Sequence, residues 1–258
     1  MRYTRWFWYE VQCALLVLWG TPYRRRYNFK LSNGVMSKLL SILSLAILSG
    51  CASQPLDDVE IAKVEVVEDV LFYEGELNEE SINIALDKAQ GHQIKRININ
   101  SPGGEVTSSM MFANWIRSNG IDVEVNEMCF SSCANYVFPA GVNKYVSEKD
   151  FIGWHGSAHQ KYEKLPDPDA EKSFQKYIAK ARVMETKFYK SLGVNSKLPI
   201  MGQVDGYSCQ VHDEWGWYYS VSDLKKLGVD NIVLTDGHWD PSHYHSKKLC
   251  QLILPEKV

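Results

Sequence analysis

Apolar and polar positions change period several times along this chain, and each change marks an element. Residues 63–73 are rich in Val, Leu and aromatics and predict one or two strands, broken by Gly75 and Asn78. From 81 to 90, Ile82, Ala85, Leu86 and Ala89 recur at helical spacing, and Gly91 closes the unit. Residues 95–100 predict a strand. Residues 105–119 predict a helix with Val106, Met110, Ala113 and Ile116 near one face and Gly120 at its end. An alternating strand at 121–127 and a short helix at 132–140 follow. A polar stretch containing Pro166 and Pro168 then leads to a long helix at 169–192. Its stripe is Phe174, Tyr177, Ile178, Ala181, Met184 and Phe188, and Gly193 stops it. Residues 198–206 read as loop, 215–220 as an aromatic-rich run, 221–227 as a short helix and 230–235 as a last strand. Repeated strand and helix units predict an α/β domain with a mainly parallel sheet.

The pattern begins late because the first fifty residues follow other rules. Basic residues around Lys38 open a short apolar run at 39–48, too short to span a bilayer comfortably, and Leu48-Ser49-Gly50-Cys51 closes it. This box resembles bacterial lipoprotein signals, which implies lipidation of Cys51, removal of residues 36–50 and a tether at 51–60. The apolar and Arg-rich segment 1–35 precedes a complete signal, so translation starting at Met36 is the simplest reading. Residues 1–50 carry seven of the 28 Lys and Arg and one of the 31 Asp and Glu, which leaves 21 basic against 30 acidic residues in the remainder. Such an acidic domain lacks the field that nucleic-acid binding needs. With Cys13 and Cys51 set aside, an even four cysteines remain, Cys129, Cys133, Cys209 and Cys250, which fits an oxidising compartment and leaves three pairings open. A Cys129–Cys133 bridge would brace the serines between them. No zinc spacing is present, and His238, His243 and His245 beside Asp236 and Asp240 read as solvated tail rather than metal ligands.

Candidate chemistry gathers in three short stretches. Ser101-Pro102-Gly103-Gly104 follows a strand and frees backbone N–H groups, Ser131-Ser132-Cys133 opens a helix after a strand, and Gly153-Trp154-His155-Gly156 follows an apolar run. An oxyanion loop, a nucleophile at a positive helix end and a histidine base together make a serine hydrolase site. His155 is preferred to His159 because it directly follows the apolar run Phe151-Ile152-Gly153-Trp154, where a strand end holds its side chain.

In this order and spacing, residues 70–156 resemble the proteolytic subunit of Clp protease and its relatives in the ClpP/crotonase superfamily. The resemblance implies a ClpP/crotonase-like domain over residues 61–236, with a helical extension and a C-terminal tail at 237–258. In that family the nucleophile lies nine residues before the Gly of an Ala-Gly pair, and counting back from Ala140-Gly141 selects Ser132. His155 is then the base, and the N–H groups of Gly103 or Gly104 and of Cys133 form the oxyanion hole. The family's aspartate falls on Gly216, which has no carboxylate; Asp213 is chosen, with Glu214 and Asp205 in reserve. The implied activity is a serine peptidase needing no cofactor, lipid-anchored in the periplasm of a Gram-negative bacterium, acting on peptides or proteins and self-associating. Three alternatives stay open. They are an inactive relative that binds extended peptides, a crotonase-type acyl enzyme, and a Ser/Lys dyad using Lys144.

Overall fold

The structure is a computed structural model that describes residues 60–204, 216–241 and 249–256. Strands β1 (Lys63–Val67) and β2 (Val70–Glu74) form a hairpin whose turn uses Glu68 at φ 55°. Helix α1 (Glu79–Ala89) leads on to β3 (Arg96–Ser101), helix α2 (Val106–Ser118) and the long strand β4 (Asp122–Phe130). Next come a π-helical turn at Cys133–Val137, a single turn α3 (Phe138–Ala140), and the short strands β5 (Lys144–Val146) and β6 (Phe151–Gly153). Helix α4 (Pro168–Leu192), β7 (Gly216–Tyr219), α5 (Val221–Lys226), β8 (Ile232–Leu234) and β9 (Leu249–Leu252) complete the order.

One sheet runs β1-β2-β3-β4-β5-β8, antiparallel only between β1 and β2. The chain is thus α/β with a mostly parallel sheet. Strand β4 serves two neighbours, pairing Val123 and Glu124 with β5 and Met128 to Phe130 with β6. Beyond β6, a bridge between Trp154 and Trp217 leads to β7, which pairs in parallel with β9. The C-terminal end of β4 therefore opens into a second, smaller β layer. Residues 249–252, placed by sequence in a tail, belong to it, with Leu249 and Leu252 buried.

Capping and burial explain the helices. Asn78 caps α1, accepting from the N–H of Ser81 at 2.8 Å, and Ile82, Ala85 and Ala89 face the core. Helix α2 is capped by Glu105, whose carboxylate accepts from the N–H groups of Thr107 and Ser108, and it buries Met110, Phe112, Ala113 and Ile116. These meet Leu71, Ile97, Ile99 and Val123 from the strands, each fully buried and worth roughly 1.5–3 kcal/mol. Gly193 ends α4 at φ 72°, a left-handed position that favours glycine.

Candidate active site

The site is built where β4 stops being regular. Its register against β3 slips from Ile99↔Val125 to Ser101↔Cys129, so β4 spends four residues where β3 spends two. Glu127 takes up the kink at φ 70°. The buried Asp150 carboxylate holds the bulge, accepting from the N–H of Glu127 at 3.0 Å and of Ser147 at 2.6 Å. Such a bulge re-aims whatever follows. Here that is Ser131, a non-glycine residue at φ 56°, a conformation that costs about 1–2 kcal/mol and must be held by its surroundings. Besides the bond its carbonyl accepts from Asn135 N–H at 2.8 Å, two restraints hold it. Its N–H donates to Gly153 O at 3.0 Å, and a Cys129–Cys133 disulfide, with Cα atoms 5.2 Å apart, closes around both serines.

Sequence counting selects Ser132, whereas the serine that the structure places against His155 is Ser131. His155 Nε2 lies 2.6 Å from Ser131 Oγ, whereas the Ser132 hydroxyl turns the other way and donates to Gly104 O at 2.7 Å. The reason is the π turn. The N–H of Phe138 reaches back to Cys133 O, five residues away, and Pro139 has no N–H to give to Asn135 O. That freed carbonyl instead accepts from the Tyr189 hydroxyl at 2.7 Å. A π turn takes one more residue to come round than an α turn. Nine residues counted back from Gly141 therefore end one residue past the serine that meets the histidine.

His155 follows β6 and stacks on Phe130, with ring centroids 5.1 Å apart and planes 19° apart. Its carbonyl accepts from Gln203 Nε2 at 2.9 Å. Burial pulls the imidazole down from 6.5 to about 4, toward the neutral form that a general base requires. With the proton on Nδ1, the neutral ring accepts the Ser131 hydroxyl at Nε2. Among the described residues no carboxylate reaches His155. Asp213, Glu214 and Asp205 lie outside the described residues. Gly216 packs against this strand end, where an added Cβ would meet Trp154 O at 2.2 Å and His155 Cβ at 3.3 Å. Position 216 thus lies beside the histidine in space, and only glycine fits there.

The Ser101–Gly104 loop presses on the serine turn. Gly103 sits at φ 102°, and a Cβ there would come within 2.7 Å of Ser131 Cβ and 2.8 Å of Ser132 N. Its N–H donates to Ser101 Oγ at 3.1 Å. On the loop's far side, Leu77 N–H donates to Gly103 O and Glu105 N–H to Leu77 O. Gly104, between those two bonds, turns its carbonyl toward the serines. The carbonyl takes the Ser132 hydroxyl, while the N–H has no hydrogen-bond partner among the described residues. With Ser131 as the serine paired to His155, the N–H next along the chain is that of Ser132. It replaces the N–H of Cys133 expected from sequence.

Other candidates lie elsewhere. Lys144 Nζ donates to Asp230 O at 2.9 Å, and burial lowers its ammonium from 10.5 to about 8. It pairs with Val123, eight residues before Ser131, which puts it roughly 20–26 Å away along β4 and outside any dyad. His159 faces Thr186 and Arg182 on α4, and His238 pairs with Glu148 at 3.0 Å. His243 and His245 lie outside the described residues, as do Cys51 and Cys209. Among the described residues no helix is long and apolar enough to cross a membrane. The chain matches no family model and no curated protein sequence.

Proposed function

We propose that the chain is a serine hydrolase of the peptidase type, with Ser131 as nucleophile and His155 as general base. The observation that carries this reading is the 2.6 Å contact between Ser131 Oγ and His155 Nε2 at a left-handed strand-to-helix turn. Oγ attacks the substrate carbonyl while its proton passes to Nε2. The oxyanion that forms meets the N–H groups of Gly104 and Ser132. Collapse breaks the C–N bond, with the imidazolium returning the proton to the leaving amine, and water repeats the sequence on the acyl-enzyme. Ser132 acts as a strut, tying the glycine loop to the turn through Gly104 O.

The peptide substrate, the ClpP/crotonase-like assignment, the lipid anchor at Cys51, the periplasmic address and self-association rest on sequence resemblance and belong to this same proposal. A fluorophosphonate probe tests it. Labelled protein digested and mapped by mass spectrometry yields the modified peptide with phosphonate on Ser131, and wild type cleaves a peptide library before but not after treatment. A folded wild type that takes no label and cleaves no peptide would overturn the reading.

A further inference from the structure

The stripe of α4 that faces the protein interior runs Phe174, Ile178, Ala181, Glu185, Phe188, so a carboxylate occupies a core position. Glu185 is fully buried. Leaving water costs a carboxylate several kcal/mol, and an apolar side chain of the same size would pack there without that cost. Its bonds show what it does instead. One oxygen accepts from the Tyr136 hydroxyl at 2.7 Å and from the Ala158 N–H at 3.1 Å, and the other from the Ser157 hydroxyl at 2.8 Å. Tyr136 lies in the π turn five residues after Ser131, while Ser157 and Ala158 follow His155 by two and three. The two segments meet again nearby, where Asn135 donates its N–H to Ser131 O and its side-chain amide to Gly156 O at 2.8 Å.

Resting on the hydrolase reading above, we propose that Glu185 is a positioning residue, a buried acceptor on α4 that sets the distance between the Ser131 turn and the His155 loop. Two neighbours on α4 each bind one segment: Tyr189 reaches the π turn, and Arg182 the carbonyls of Ala158 and Gln160. Burial pushes the Glu185 carboxyl above its ordinary value, and its three donors oppose that push.

Fluorophosphonate labelling of the full chain over a range of probe concentrations separates the bond-forming rate from the apparent affinity for probe. Glu185→Gln keeps the volume but replaces one acceptor oxygen by an NH2 group, so either the Ser157 hydroxyl must turn its proton away or the Tyr136 and Ala158 donors lose their acceptor. The bond-forming rate is expected to fall ten- to a hundredfold with affinity unchanged within about twofold, the size of effect that a small misplacement produces. Glu185→Asp, still a pure acceptor, should recover part of the loss. Leu71→Ala, a core cavity in β2 remote from both segments, should lower the melting temperature without slowing the folded protein. A folded Glu185→Gln that labels at the wild-type rate overturns the proposal. If Glu185→Gln does not fold, Tyr136→Phe takes its place, and an unchanged rate there counts against the proposal equally. If wild type takes no label and cleaves no peptide, the hydrolase reading has failed, and the His155 ring signals in NMR decide on positioning alone: a shift in Glu185→Gln supports it and an unchanged spectrum overturns it.

Discussion

The two halves of β4 are made by different rules. From Asp122 to Val125 the strand pairs in plain parallel register with β3 and β5, its side chains alternate between core and outer face, and no residue leaves ordinary backbone space. From Glu127 to Ser131 it bulges, takes two positive φ values, changes neighbour to β6 and enters a disulfide. The first half is held by regular ladder pairing, the burial of Val123 and Val125, and side-chain bonds of Asp122 to Asn143 and of Glu124 to Arg96. The second is strained, and specific bonds from Asp150, Gly153 and Cys133 hold it in place. Regularity carries the fold, while the departures from it bring two side chains to 2.6 Å.

Exchanging the two adjacent serines cuts most sharply between these halves. Ser131→Ala and His155→Ala should each lower the labelling rate by about a thousandfold or more, since nucleophile and base act as one unit. Ser132→Ala should still label on Ser131, slowed about tenfold or less. Peptide mapping of the label decides it, and phosphonate on Ser132 in wild type would return the nucleophile to the place that counting gave. Gly103→Ala should come next, at about a hundredfold in rate, because its Cβ would strike the serine turn itself.

Cys129→Ala with Cys133→Ala tests the bracing of the strained half. The bridge closes a five-residue loop, so its loss should cost about 2 kcal/mol in chemical denaturation and slow labelling of the protein that stays folded. A double variant that loses stability but labels at full rate would show that Asp150 and Gly153 suffice to hold Ser131.

Smaller effects follow from His155 and Lys144. The folded protein holds His155 neutral down to about pH 4, while the unfolded chain binds its proton near 6.5. Its contribution to stability is therefore complete above about pH 6.5 and lost as pH falls from there toward 4, and His155→Asn should flatten that part of the curve. The acid limb of the labelling rate should likewise lie nearer pH 4 than 6.5; a midpoint at 6.5 or above would contradict the buried ring. The smallest expected effect is on the regular half. Lys144→Met should leave labelling unchanged, and a large loss there would revive the dyad.

How much of this was legible follows the same division. Helices α1, α2 and α4 and the first strands announce themselves because one face is buried and the other wet, as with Met110, Ala113 and Ile116 on α2. Strands β5 and β9 do not, since three or four residues carry no period, and Leu249–Leu252 read as tail. His155 and the glycine loop were legible as chemistry. The serine was legible only as a pair, because the choice between Ser131 and Ser132 depends on a π turn whose one sequence signal is Pro139 inside a predicted helix. Glu185 carried a signal too, a charge at a core position of the α4 stripe, where an acidic residue is out of place unless something donates to it.

The burial of Cys129 and Cys133 sets an order of events for the maturing chain. Cys129 and Cys133 are wholly enclosed once the core has formed, so an oxidant has access to their thiols only while the chain is still open. A chain that closes in reducing surroundings would shut its thiols inside and carry an unclamped serine turn. The same enclosure then protects the finished bond from reductants that act through contact. Oxidation here is a step of assembly, and the history of the chain's surroundings becomes fixed in the shape of a single turn.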